Sequence, residues 1–310
     1  MDPFAATRLG VGLAGLAVAA ASDLRLRKVS DPLWIVLGSL GLVLLVADLL
    51  VTSADLARYA ATASGAFLFY AIFFGAPLFE EDRFHFRPAR IGVFGLALAL
   101  FLAAALRAPG LAPAEAAATM ELLTMPAMVV VYQVFYQVGL LHGGADAKGL
   151  IALTLLVPTY PDTSPFPWIV LDPRVAPTLR VLFPFSLGVL TNAAILFLGL
   201  PLGYLLYNAA RGDLRVPMAF FGYRADLRKL PEHVWPMERI DDRGEHVLVL
   251  FPRRGRDSAK DLERLREAGI ERVWVQPKVP FMVPLLGGFV LAIFAGNLLL
   301  GLMQAILPRS

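Results

Sequence analysis

Residues 142–148 read His142-Gly-Gly-Ala-Asp-Ala-Lys148, a polar break between two uncharged apolar runs. Residues 122–141 before it and 149–157 after it have the composition of membrane-embedded helix. The break carries one acid, Asp146. A carboxylate so close to hydrocarbon costs about 3 kcal/mol unless it faces protein or water, so an intramembrane acid marks a candidate functional site. Taken alone, Gly-Gly-Ala-Asp before an apolar run also suits a turn followed by a helix N-cap.

Working outward, the chain reads as an α-helical polytopic membrane protein. Of its 310 residues 57% are hydrophobic, the mean hydropathy is +0.65, and the charges gather in a few stretches. About eight transmembrane helices are expected, over residues 4–22, 32–50, 61–79, 89–106, 122–141, 147–158, 179–207 and 281–307. The sixth is short for a span of roughly 20 residues. Residues 9–21 could pass for a signal-peptide core, but the expectation is a retained first span. Between residues 208 and 280 the charge density becomes that of a soluble protein. A small cytoplasmic α/β domain is expected there, with strands at 246–251 and 271–276 flanking an amphipathic helix at 258–268, hence a parallel pair with a right-handed crossover. The expected organisation is therefore a membrane core over 1–207, the small domain over 208–280 and a last transmembrane helix in 281–310.

There are no cysteines, which excludes disulfides, thiolate nucleophiles and Cys-based zinc or iron–sulfur sites. The four histidines stand neither two nor four residues apart, so no metal and no cofactor is expected. No phosphate loop or nucleic-acid motif is visible.

Lys and Arg placement sets the orientation. With the N-terminus outside, the inner loops carry Arg25, Arg27, Lys28, Arg83, Arg87, Arg90, Lys148 and every basic residue of the small domain. The outer side keeps Arg8, Arg58, Arg107, Arg174, Arg180 and Arg309. Asp23, at the inner end of the first span, and Asp146, just past the inner end of the fifth, then lie on one membrane face. Two carboxylates held close cannot both ionise, so one keeps a proton and acts as acid while the other acts as base on a water. Such a pair can hydrolyse a peptide bond. Gly143 and Gly144 would let a substrate strand approach the backbone beside the acid.

The run Gly143-Gly-Ala-Asp-Ala-Lys148 resembles the GxGD-type signature of membrane aspartyl proteases, in the form found in archaeal preflagellin and prepilin peptidases. Asp23-Leu-Arg-Leu-Arg-Lys-Val-Ser-Asp-Pro-Leu-Trp34 resembles the other catalytic segment of that family, and Phe221-Gly-Tyr-Arg224 and Trp274-Val-Gln-Pro-Lys-Val-Pro-Phe281 resemble its C-terminal part. The resemblance implies that Asp23 and Asp146 form the catalytic dyad. It also implies that the enzyme removes the short basic leader of prepilin or archaellin precursors at the cytoplasmic face of the cell membrane. Two departures stand out. Ala145 replaces the usual glycine before the aspartate, and eight spans exceed the six of simpler members, the extra pair lying between Val51 and Glu121. Bacterial relatives carry a cysteine-based segment and a methyltransferase activity; this chain lacks the cysteines, so the resemblance implies no methylation.

Other residues are weighed beside the dyad. Glu80 and Glu81, with Asp82, form an acidic cluster on the inner side where a basic leader could dock; the alternative is a solvated loop. Lys148 could shape the site, but two residues from Asp146 on a helix it does not face it, and snorkelling to lipid headgroups is the expected role. Gln133 and Gln137 share a helix face and could bond another span. The small domain's slight basic excess suits anionic membrane lipid. The rival reading is a proton-coupled transporter with Asp23 and Asp146 as relay acids; a third is a non-catalytic scaffold.

Overall fold

The computed structural model describes residues 2–75, 79–80, 83–84, 86–141, 143–241, 243–250 and 258–306, with backbone alone at 79–80, 83–84 and 258–259. Asp2 caps the first helix by accepting the Ala5 N–H at 3.1 Å, Pro3 fits the first turn, and α1 runs Pro3–Leu26. The helices α2 (Asp31–Val51), α3 (Leu56–Phe74), α4 (Pro88–Arg107) and α5 (Pro113–Gln137) follow, with a two-strand ribbon of β1 (Phe79–Glu80) and β2 (Arg83–Phe84) between α3 and α4. Next come α6 (Gly144–Leu156), the short α7 (Ala176–Leu182) and α8 (Phe185–Ala210). A strand-containing stretch then leads to α11 (Met282–Phe294) and α12 (Leu298–Ile306). Its elements are α9 (Met218–Phe221), β3 (Tyr223–Asp226), β4 (Val234–Pro236), β5 (Glu238–Ile240), β6 (His246–Leu248), α10 (Ser258–Glu267) and β7 (Arg272–Pro277).

Among the described residues six helices are long and apolar enough to cross a membrane: α1 to α5 and α8. The chain is a polytopic helical membrane protein with a small strand-containing domain near its C-terminus. The expected last span is a pair, α11 and α12, bent by 56°. The expected seventh divides at Phe183-Pro184, because proline cannot continue the preceding helix, so α7 is separate from α8. The expected sixth is α6, 13 residues or roughly 20 Å at 1.5 Å per residue, short of a bilayer core of about 30 Å.

The chain divides into two compact units, residues 1–194 with 281–310, and residues 195–280. In the first, α6 is the centre. Ala147 and every residue from Gly149 to Leu156 are buried, as a helix apolar all round requires. Small residues let its neighbours close in. A Cβ on Gly41 of α2 would stand 2.5 Å from the Cα of Leu156 and 2.6 Å from the carbonyl oxygen of Leu155, and one on Gly12 of α1 would meet the Phe289 ring at 2.8 Å. Tyr132 on α5 bonds Ser186 on α8 at 3.1 Å, an interhelical role expected of Gln133 or Gln137, for which no such bond occurs among the described residues. The bend between α11 and α12 leaves backbone groups that hydrocarbon would not satisfy. Asn192 answers them: its side chain donates to the Gly296 carbonyl at 2.8 Å and accepts from the Leu298 N–H at 3.0 Å. The segment at Trp168 and Ile169 donates to the Phe294 and Ala295 carbonyls, each at 3.0 Å.

In the second unit, β7 is the middle strand of an antiparallel sheet ordered β3, β7, β4. Its side chains alternate. Val273 and Val275 pack with Leu227 and with Leu265 of α10, while Trp274 packs with Met218, Ala219 and Met237. The expected parallel crossover is not what forms. The strand at 246–248 pairs instead with β5 as an antiparallel hairpin. The Asp241 carboxylate accepts the N–H groups of Arg243 and Glu245 at 2.9 and 2.8 Å, and Gly244 takes a left-handed φ of 82°, so the chain reverses at once. The buried Glu238 then ties hairpin to sheet, accepting the Trp274 N–H at 3.0 Å and facing His246 Nε2 at 2.8 Å.

Candidate functional site

Asp23 sits one turn before the end of α1. The helix stops there because Arg27 enters the left-handed region at φ 53° with its N–H on the Asp23 carbonyl at 3.1 Å. Ser22 Oγ donates to the Lys28 carbonyl at 2.7 Å, folding the link back so that α2 starts at Asp31. The Asp23 carboxylate is half-buried and accepts the Met282 N–H, in the first turn of α11, at 3.4 Å. Among the described residues no lysine or arginine pairs with it.

Asp146 lies in the first turn of α6, where a negative side chain suits the helix dipole. Gly143 is the N-cap, and its carbonyl accepts the N–H groups of Asp146 at 3.0 Å and Ala147 at 3.3 Å. The Asp146 carboxylate folds over the cap. A Cβ at 143 would stand 2.8 Å from Asp146 Cγ and 3.1 Å from Oδ1, so a side chain there would push the carboxylate aside; a Cβ at 144 would make an ordinary contact with the Tyr136 hydroxyl at 3.5 Å. Sequence alone treats the two glycines alike, and the structure separates them. Ala145, the departure from the signature, puts its methyl against the core of the first unit.

Lys148 pairs with an acid on another helix. Its Nζ donates to both Asp31 oxygens at 2.7 Å and stands 5.7 Å from the Phe73 ring centroid. The geometry is favourable because Trp34, fully buried, stacks on Gly149, where a Cβ would come 3.1 Å from the indole. The start of α6 is thus fastened to the start of α2 by an ion pair and a ring contact, and α2 is joined to α1 through the short turn after Asp23. Asp23 and Asp146 consequently lie at the same end of the helix bundle. Asp31, which the sequence marks as the cap of the second span, instead lies in the first turn of α2 behind the N-cap Ser30. It stands 117 positions from Lys148, a separation at which no local pattern signals a partner.

Of the acidic cluster, Glu81 lies outside the described residues and only the backbone of Glu80, in β1, is described. His142 is also outside them. Among the described residues no group of three or more His, Cys, Asp or Glu side chains could hold a metal ion. Two carboxylates at one end of a bundle, beside a glycine cap, have the components for activating a water against a carbonyl.

Comparison with known proteins bears on the C-terminal part of the chain. Residues 214–298 match the family model described as Archaeal Peptidase A24 C-terminus Type II. The matched stretch takes in β3 to β7 and α11 and contains neither Asp23 nor Asp146. No curated protein matches the chain.

Proposed function

Taking as premise the archaeal prepilin/preflagellin peptidase family that the match over residues 214–298 supports, we propose that the chain is a membrane-embedded aspartyl endopeptidase. Its substrates are prepilin or archaellin precursors, from which it cuts the short basic leader at the cytoplasmic membrane face. Asp23 and Asp146 form the dyad. In the reaction one carboxylate takes a proton from water as the water oxygen bonds the scissile carbonyl carbon. The other carboxyl gives its proton to the carbonyl oxygen. Collapse of the tetrahedral intermediate breaks the C–N bond, and a proton goes to the departing amine. The orientation is the one drawn from Lys and Arg placement, with the N-terminus outside and residues 208–280 in the cytoplasm.

The observation that carries this reading is the joint between the two aspartate segments. The pairing of Lys148 with Asp31 at 2.7 Å and the stacking of Trp34 on Gly149 bring to one end two segments that a helix bundle has no general reason to join. The test is incubation of membranes holding the protein with candidate precursors, following loss of the leader as a mobility shift. The unmodified protein should cleave, and Asp23→Asn or Asp146→Asn should each stop cleavage while leaving the protein inserted. Full cleavage by either variant overturns the dyad; absence of cleavage with proton-coupled uptake would favour the transporter reading.

A further inference from the structure

The segment 211–217, between α8 and α9, reads Arg-Gly-Asp-Leu-Arg-Val-Pro. It leaves the end of a 26-residue apolar helix, so its first residues stand at the membrane boundary. The usual boundary pair is present: Tyr207 in the last turn, with the Arg211 guanidinium 4.9 Å over its ring. The chain then turns back. Arg211 and Asp213 donate to the Asn208 carbonyl at 3.1 and 3.0 Å, and Gly212 adopts φ 72°, a conformation in which glycine carries no penalty. The turn holds residues 213–217 near the helix end.

Three ties make this segment a fixed loop. The buried Asn208 side chain donates to the carbonyls of Ala219 at 3.0 Å and Gly222 at 2.7 Å, beyond the loop's far end. Asp213 holds the middle, accepting from Arg272 at 3.1 Å with Arg224 at 3.7 Å. The Ala219 N–H bonds the Arg215 carbonyl at 2.9 Å. Such a loop would be expected to turn its apolar side chains inward, but Leu214 is 58% and Val216 68% exposed. Arg211 and Arg215 are exposed as well, and among the described residues neither pairs with a carboxylate.

We propose that residues 211–217 form an interfacial foot that inserts Leu214 and Val216 into the headgroup region and binds acidic phospholipid headgroups through Arg211 and Arg215. Burial at the boundary removes the apolar side chains from water, and the arginines on either side of Leu214 meet the phosphates at the same depth. The lipid is favoured over a protein partner because the loop is continuous with a membrane helix and its arginines alternate with its apolar residues. The inference rests on α8 being a span and is independent of the peptidase reading.

The absence of cysteine gives a clean test. Single variants Leu214→Cys, Val216→Cys and, as a water-exposed control on the turn after β3, Lys229→Cys carry an environment-sensitive fluorophore on the full-length protein in lipid nanodiscs. Brominated phosphatidylglycerol or brominated phosphatidylcholine is added at equal low fraction as quencher. The labels at 214 and 216 should emit at shorter wavelength than the label at 229 and be quenched more by the acidic lipid. Arg211→Gln and Arg215→Gln should each lower that acidic preference about fivefold, equivalent to about 1 kcal/mol per arginine. Labels at 214 and 216 that behave like the one at 229 overturn insertion. Quenching indifferent to lipid charge overturns headgroup recognition. A wavelength shift that appears only when a precursor protein is added would assign the loop to a protein partner and overturn the lipid proposal. Precursor cleavage by the labelled variants, measured separately, reports on the peptidase reading alone.

Discussion

The two ends of the helix bundle use carboxylates differently. At the end where α2 passes to α3, three acids are answered by arginines across helices: Asp48 by Arg8 at 3.1 Å, Asp55 by Arg107 at 2.6 Å, and Glu115 by Arg58 at 3.0 Å. At the opposite end one acid, Asp31, is answered by Lys148. There the Asp23 carboxylate receives a backbone N–H from α11, and the Asp146 carboxylate lies over a glycine cap. Pairing with arginine fixes a carboxylate as a charge and as a strut. Asp23, whose carboxylate is met by a backbone N–H and by no arginine among the described residues, is held without such a strut. On the proposed reading, one end serves cohesion and the other holds the reactive pair.

The largest expected effects test that division directly. Asp23→Asn and Asp146→Asn should lower precursor cleavage by at least about a hundredfold, the scale of lost proton transfer, with little change in melting temperature in detergent. Cleavage should then separate the two glycines. Gly143→Ala forces the Asp146 carboxylate to move and should reduce kcat by about tenfold to a hundredfold, whereas Gly144→Ala should stay near the unmodified rate. Equal losses at both positions would mean that the cap does not set the carboxylate.

At the arginine end the readout should be stability. Asp48→Asn leaves the buried Arg8 without its partner, which should cost about 2 kcal/mol; the loss is smaller than for a fully buried pair because Asp48 keeps 26% side-chain exposure. A fall in melting temperature with normal cleavage at low temperature is the expected result. Asp31→Asn should do the reverse. Its pair is half-exposed, so stability should change by less than about 1 kcal/mol, while kcat falls several-fold and the exchange Asp31→Lys with Lys148→Asp recovers part of it. An unchanged kcat would reduce the joint to surface electrostatics.

The smallest effect concerns Asp55. Hydrogen bonds from Arg107, and then from the Ala57 N–H, hold its carboxyl well below the usual range, at about 2. A depressed folded-state value stabilises above the ordinary carboxylate value of about 3.9 and is lost as pH falls through about 2. The difference in melting temperature between the unmodified protein and Arg107→Gln should thus be flat from neutral pH to about pH 5 and shrink below about pH 4. A difference that grows on acidification would contradict the assignment.

The legibility of the molecule reflects the same physics. The first two spans read well because hydropathy sums over neighbouring residues, and α1 and α2 fall close to their expected places, whereas the expected seventh divides at Pro184 and the last bends. The small domain's topology read poorly. The strand at 246–248 and the one at 272–277 were visible, yet short strands state no partner, and a turn held by Asp241 and Gly244 decided the pairing. The sequence neighbours of Lys148 give no sign of Asp31, its partner on another helix. Small residues at 41 and 149 looked ordinary until Leu155, Leu156 and Trp34 filled the space above them.

By itself the sequence determined a polytopic helical chain with a charged insertion before its last apolar segment, without thiol chemistry, with one acid at a helix end and another beside a glycine pair. Those properties are local or additive, and each is carried by residues within a turn or two of one another. The tertiary structure alone decided that α6 is buried at the centre of its unit and that Asp31 and Lys148 join the two aspartate segments. It also decided that the last span bends where Asn192 can satisfy the freed backbone, and that the sheet is antiparallel around β7. The reason is that a buried helix, an ion pair and a strand register are each fixed by groups distant in sequence, whose meeting depends on the packing of the whole unit.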